Sequence, residues 1–222
     1  MVITIDGYAG TGKSEAASRL AESLGYELLN TGAMYRATGV VLLRHGIDIY
    51  GEQPDHAAIE QLVAGFKFDM PPGHVWLNGE DMTKSVQSED AGTAASKVGT
   101  FLAVRRKLQE EQRRIADARN IVCEGRDQGT VVFPNAEVKF FLKASVAVRA
   151  HRRMTQLRDQ HQPANYDEVA ERIAQRDHQD ETRKIDPLRK ADGAETIDTT
   201  ELTRDDVLFH MLAVVKQCLS RG

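Results

Sequence analysis

The chain is poor in cysteine, has no long apolar run and carries almost no excess of charge, and each shortage closes off a class of protein. Its two cysteines, Cys123 within an apolar run and Cys218 near the carboxyl end, have no metal-ligand spacing and no histidine pair beside them. They read as thiols in a reducing compartment rather than as a disulfide frame or metal cluster. No apolar segment approaches the roughly 18 residues that span a bilayer, and the amino terminus enters a short strand without a basic flank or cleavage site, so a cytoplasmic location is expected. The formal net charge of −4 argues against a general binder of nucleic acid or anionic membrane. The positive charges that are present cluster.

What the chain does have is 222 residues with 41% hydrophobic content, enough to bury a substantial core. One core domain with insertions is the expected plan. Val2 to Ile5 is a β-branched run ending at Asp6-Gly7; from Lys13 to Leu24 the residues Ala16, Ala17, Leu20, Ala21 and Leu24 fall on one helical face, with Gly25 as a stop. Tyr26 to Leu29 reads as a second strand and Ala33 to Leu43 as a helix closed by Gly46. Between Leu62 and Lys97 the texture changes to "FKFDM", a Pro-Pro-Gly break and "HVWLNGEDM", whose Asn-Gly predicts a hairpin.

A long charged helix is expected from Ala94 through Ala118, then two buried strands in "NIVCEG" and "VKFFL", helices over Val146 to Gln160 and Tyr166 to Arg183, a last strand "ETIDT", and a terminal helix from Thr203 to Leu219. Five short strands alternating with helices imply a parallel five-stranded sheet covered on both faces, a three-layer α/β core. Ligands of such sheets sit at the carboxyl ends of the strands.

Gly7 to Ser14, "GYAGTGKS", has the spacing of a phosphate loop. Successive backbone N–H groups across Ala9, Gly10, Thr11, Gly12 and on to Glu15 form a concave anion site, Lys13 reaches the outer phosphates, and the Ser14 hydroxyl can hold Mg²⁺. A chance match is the bland alternative, but the strand before it and the helix after it supply the required context. The bound nucleotide is then ATP, as phosphoryl donor.

A GTPase switch would need a guanine-reading N-K-x-D stretch, which is missing, and a motor would usually need a longer chain. A small kinase needs only a second anion site and a way to exclude water. Arg36, Arg105, Arg126, Arg149, Arg152, Arg153, Arg176 and Arg183 can supply it, since guanidinium makes charged bidentate phosphate contacts. Arg106, Arg113, Arg114, Arg119 and Arg158 read instead as a solvated helix face. The histidines are scattered and read as surface or capping residues. A phosphate-monoester acceptor is already an anion near neutral pH, so no general base is required.

Taken together, "IDGYAGTGKS", "NTGAMYRA", "EGRDQGTVVFPNAEVKFFL", "AHRRMTQL", "RDHQDETR" and "DPLRKADGAETIDTT" resemble the bacterial cytidylate kinases, in order and over nearly the whole chain. The resemblance implies a phosphate-loop (P-loop) kinase core over 1–61, 98–151 and 166–222, an NMP-binding insertion over 62–97 and a mobile lid over 152–165. It implies action on CMP and dCMP with ATP and Mg²⁺; a monomer without a nucleic-acid or membrane partner is expected. Thr31 then lies near the acceptor phosphate, with Arg36, Arg126 and Arg183 as its arginines; Ser96, Arg105 and Asp127 fall where the family reads cytosine; Arg176 and Asp180 fall at the sugar. Arg153 is the favoured lid arginine for the transferring phosphoryl group, beside Lys13, Arg126 and Arg183.

A carboxylate at Asp127 can accept from the 4-amino group of cytosine but would face an oxygen of uracil, so cytosine is the expected preference. Two alternatives stay open here: Asp127 as the ion-pair partner of Arg126, and Glu124 as the carboxylate near Mg²⁺ or Lys13. At the level of function the alternatives are a small kinase with another acceptor, UMP or a non-nucleotide, and a nucleotide-binding regulator without turnover. Tyr8 stands where the family usually has proline, Glu15 where threonine is frequent, Asn30 where aspartate is usual and Gln128 where an aliphatic residue is common. Asn30 removes a carboxylate near the acceptor site, and Gln128 adds polarity beside Asp127.

Overall fold

The structure is a computed structural model that describes residues 1–159 and 162–220. In chain order the elements are β1 (Val2–Gly7), α1 (Lys13–Leu24), β2 (Glu27–Asn30), α2 (Thr31–Arg44), α3 (His56–Ala64), β3 (Phe68–Asp69), β4 (Trp76–Leu77), β5 (Glu80–Asp81), α4 (Glu89–Val98), α5 (Leu102–Ala116), β6 (Ile121–Gly125), β7 (Val138–Lys143), α6 (Val146–Asp159), α7 (Tyr166–Thr182), β8 (Glu195–Asp198) and α8 (Arg204–Leu219). Two compact units result, Met1–Leu28 with Asn120–Gly222, and Leu29–Arg119. Among the described residues no helix is long and apolar enough to cross a membrane.

The first unit is organised by a five-stranded sheet in the order β2-β6-β1-β7-β8. β1 runs parallel to both β6 and β7, and β7 parallel to β8. Strand alternation then divides the side chains. Phe140 and Leu142 point to the face where Ile3, Ile5, Leu20 of α1 and Met211 and Val215 of α8 form the main core, while Phe141 packs on the opposite face with Leu188, Ala191 and Ala194. α6 and α7 hold each other through Ala150, Met154, Leu157 and Val169. Each such leucine, isoleucine, valine, methionine or phenylalanine side chain, fully buried, contributes about 1.5–3 kcal/mol. The central strands carry residues such as Val122, Cys123 and Phe140 almost without exposure, which is why they read as unbroken apolar runs.

Most expected elements form, and the departures have local causes. α6 ends at Asp159; Gln160, the end expected from sequence, lies outside the described residues. α3, capped by the Asp55 carboxylate accepting from Ala58 N, escaped the sequence reading. Between β6 and β7 a single π-helical turn, Gln128–Val132, also has no periodicity that sequence could reveal.

The second unit corrects the long charged helix expected over 94–118. It is two helices, α4 and α5, separated at Gly99-Thr100-Phe101. Gly99 closes α4 with its N–H on Ala95 O, and the buried Arg105 donates from Nη1 to Gly99 O at 3.2 Å, tying the turn to the next helix. The expected hairpin is present: β4 and β5 are antiparallel around Asn78 and Gly79, both at positive φ. Arg114 departs from its expected solvated role, donating to Phe68 O and Glu111, while Glu111 accepts from Phe68 N at 2.9 Å. α5 thereby supplies the hydrogen bonds of the β3 edge.

Candidate active site

β1 ends in a loop that only glycine can make. Gly7 has φ 144°, and a Cβ there would meet the carbonyl oxygen of Leu142 at 2.0 Å, so the loop crosses the neighbouring strand without room for a side chain. Gly12 precedes α1 at φ 90°, and no side chain caps that helix. Its first N–H groups are left to an external anion, supported by the positive end of the helix dipole. The Thr11 hydroxyl donates to Tyr8 O at 2.9 Å, and the Thr199 hydroxyl donates to Thr11 O at 3.1 Å, which fixes the loop from within and from β8's end. Glu15, in the first turn of α1, points outward toward Arg204 at 3.7 Å.

Lys13 is buried, with its ammonium donating to the Tyr8 carbonyl. Burial pushes the ammonium well below its ordinary pKa, Arg126 and Arg176 push the same way, and Glu124 and Asp180 oppose them. Like charge from these guanidinium groups thus acts on the lysine, a cost that a bound anion relieves. Ser14 donates from Oγ to Glu124 Oε1 at 3.0 Å. A hydroxyl and a carboxylate side by side are hard oxygen ligands, which fits Mg²⁺, an ion that takes one or two protein oxygens and otherwise keeps phosphate and water.

The second cationic group is built from β6 and α7. Arg126 follows the last residue of β6; its Nε donates to Asp180 at 2.8 Å and its Nη1 to Gly125 O at 3.1 Å. Burial drives the Asp180 carboxyl upward, but Arg126, Arg176 and Arg183 outweigh it and hold the group below the usual carboxylate range. Arg183, just past α7, donates from Nε to Asp186 O at 2.6 Å and lies 3.9 Å from Asp127. The alternative in which Asp127 pairs with Arg126 is thus corrected: Arg126 is taken by Asp180, because α7 brings that carboxylate to the guanidinium edge while buried Asp127 turns toward Arg183.

Asp6, at the end of β1, went unnoticed in sequence. It is buried and accepts from the backbone N–H of Gln128 at 2.9 Å and of Gly129 at 2.7 Å, holding the turn that follows Asp127. Burial raises its carboxyl to about 6 against the two N–H groups, Asp127 adds to the rise, and Lys13 opposes it. The available signal was a carboxylate closing an apolar strand at the topological switch point of a parallel sheet.

Arg149, Arg152 and Arg153 of α6 differ. Arg149 is buried and pinned by Asp177 at 2.6 Å, by Ala144 O and by Ala9 O. Arg152 donates to Thr199 through Oγ1 at 3.0 Å and the carbonyl at 2.6 Å. Arg153 is half-buried and donates to Gln156 at 3.4 Å.

Thr31, Arg36, Ser96 and Arg105 lie in the second unit. Thr31 is buried at the first turn of α2, where Asn30 Oδ1 accepts from Ala33 N at 3.0 Å; asparagine keeps the helix cap that an aspartate would provide. Arg36, on α2, makes no hydrogen bond or ion pair among the described residues. Ser96 is exposed on α4 and donates to Gly92 O at 3.4 Å. Arg105 is fully buried, with its guanidinium 5.8 Å from the Tyr35 ring centroid.

A glycine loop entering an uncapped helix at the end of a parallel strand, with lysine and a serine–carboxylate pair beside it, defines an α/β phosphate-loop kinase core. The family model described as "Cytidylate kinase" matches residues 3–217. A cytidylate kinase from Thermotoga maritima is 42% identical over 215 residues, 97% of this chain and 96% of that protein. Another from Aeromonas salmonicida is 39% identical over 218 residues, covering 98% and 95%. The chain belongs to the cytidylate kinase family and is a nucleoside monophosphate kinase. Among solved structures, an uncharacterized protein from Eubacterium ventriosum shares the fold at TM-score 0.54 with 10% identity, covering 97% of this chain and 98% of that one.

Proposed function

We propose that this chain transfers the γ-phosphoryl group of ATP to CMP or dCMP, giving ADP and CDP or dCDP, as a cytoplasmic monomer serving pyrimidine nucleotide metabolism. The observation that carries the reading is the glycine loop entering the uncapped α1, with Lys13 at its start and the Ser14–Glu124 hydrogen bond beside it, in a chain of the cytidylate kinase family. Donor phosphates lie on the loop backbone from Gly7 to Glu15, with Lys13 on the outer phosphates. Mg²⁺ held by Ser14, with Glu124 beside it, supplies neutralisation of phosphate charge.

Arg126 and Arg183 hold the acceptor phosphate, joined by Thr31 and Arg36; Asp127, Ser96 and Arg105 read cytosine; Arg176 and Asp180 hold the sugar. The insertion 62–97 and the lid 152–165, of which residues 160 and 161 lie outside the described part, exclude water, with Arg153 reaching the moving phosphoryl group. Positioning and charge stabilisation are sufficient chemistry for an acceptor that is already an anion.

The test is ADP release from Mg-ATP with a panel of CMP, dCMP, UMP, AMP and non-nucleotide acceptors. Release driven by CMP supports the reading. Release with only another acceptor, or ATP binding without release, replaces it with one of the two alternatives.

A further inference from the structure

Tyr8 contributes its carbonyl to the phosphate loop, but its side chain leaves the loop altogether. The phenol donates to Glu181 Oε1 at 2.6 Å, and the ring sets its edge on Phe141 with centroids 5.9 Å apart. The Arg149 guanidinium lies 5.4 Å from the ring centroid and pairs with Asp177 at 2.6 Å, while its Nη1 returns to Ala9 O within the loop. Two independent links therefore join the loop to α7, one from Tyr8 to Glu181 and one from Ala9 through Arg149 to Asp177.

On α7 those anchor points alternate with the residues assigned to the acceptor. Arg176 and Asp180 form one i, i+4 row of α7, and Asp177 and Glu181 form the adjacent i, i+4 row. Any shift of Tyr8 is felt by the same turns that present Arg176 and Asp180. The Tyr8 carbonyl accepts from both the Lys13 ammonium and the Thr11 hydroxyl, so Tyr8 touches the donor-site lysine through its backbone and α7 through its side chain.

We propose that Tyr8 is a positioning residue that couples the donor loop to the acceptor face of α7, so that each nucleotide raises the affinity for the other. The proposal rests on the acceptor role of α7 given above. Hydrogen bonding to Glu181 and burial raise the phenol to about 12, so it remains a donor throughout the neutral range. Linkage makes the effect reciprocal: the factor by which the donor tightens CMP equals the factor by which CMP tightens the donor.

Calorimetric titration of CMP into the full chain, with and without a saturating non-hydrolysable imido analogue of ATP, measures that factor as a ratio of dissociation constants. The wild-type ratio is expected to be about fivefold or more. Tyr8→Phe, which deletes one hydroxyl and keeps the ring contacts, is expected to reduce it about two- to fivefold, toward one. Glu181→Gln, which keeps an acceptor oxygen, should restore most of the ratio that Glu181→Ala loses, and Tyr8→Phe with Glu181→Ala should lose no more than either alone.

A wild-type ratio of one, an unchanged ratio in Tyr8→Phe, or additive losses in the double variant overturns the proposal, whatever happens to the separate affinities. Failure of the acceptor assignment looks different. CMP then fails to bind the wild-type protein with or without the analogue, and both readings fall.

Discussion

Arg126 and Asp180, 54 residues apart in sequence, meet through a 2.8 Å hydrogen bond that fixes one edge of the guanidinium and leaves Nη2 unengaged by that contact. A guanidinium held in this way is pre-organised for a phosphate, since little side-chain freedom remains to be lost on binding. Arg126→Ala is expected to lower kcat/KM for CMP by about 10²–10³, the usual effect of removing one charged donor from a reacting phosphoryl or oxyanion site. Steady-state kinetics check this, and an unchanged value removes Arg126 from the acceptor site.

Arg183 is anchored to the Asp186 carbonyl and faces Asp127. Arg183→Ala should raise KM for CMP or lower kcat while ATP binding survives. Equal losses in ATP and CMP binding, measured by titration, would mean that the residue supports the unit as a whole instead.

Asp127 is the residue proposed to read the base. Asp127→Asn replaces an acceptor-only group with one that can also donate, so uracil gains a partner and cytosine loses part of one. The CMP-to-UMP ratio of kcat/KM should fall about tenfold, in line with 1–3 kcal/mol for a mismatched buried polar group. A ratio that stays constant assigns base reading elsewhere.

Asp6 supplies a pH-dependent stability. Its folded-state pKa of about 6 exceeds the ordinary 3.8, so the folded protein holds this proton more tightly than the unfolded chain. The contribution is fully present below the unfolded value and is lost as pH rises through 6; the gap corresponds to about 3 kcal/mol. Urea unfolding of wild type and Asp6→Asn should therefore show a wild-type advantage that is larger at pH 4 than at pH 7.5. A difference constant with pH contradicts the assignment.

The fold was largely legible because its strands are buried on both faces and its helices are amphipathic. β1, β6 and β7 read as apolar runs, α1 showed its Ala16, Ala17, Leu20 and Ala21 face, and the phosphate loop announced itself through spacing that glycine geometry makes unavoidable. The failures lie where tertiary contacts decide. Nothing local marks the break between α4 and α5 except one glycine, because the turn is held by Arg105 from the following helix. Arg114 looked solvated because its partner, the Phe68 carbonyl, is 46 residues away. The grip of Tyr8 and Arg149 on α7 was invisible for the same reason, and Asp6 left only the signal of a carboxylate closing an apolar strand.

Gly7 gives the loop its sharpest test of geometry. A Cβ there strikes the Leu142 carbonyl at 2.0 Å, whereas Gly25, at φ 67° in the cap of α1, has open space around it. Gly7→Ala should cost about 3–5 kcal/mol, from steric overlap and a φ that side chains avoid. Gly25→Ala should cost only about 1–2 kcal/mol, from its left-handed backbone alone. Comparable losses in urea unfolding would show that the loop does not cross β7 as closely as described.

Transfer of a radiolabelled γ-phosphate from Mg-ATP to CMP in a single turnover tests the central claim most directly. The label should appear in CDP, with transfer abolished or slowed by orders of magnitude in Lys13→Ala. Label released as inorganic phosphate, or retained in ATP while CMP is bound, would contradict it.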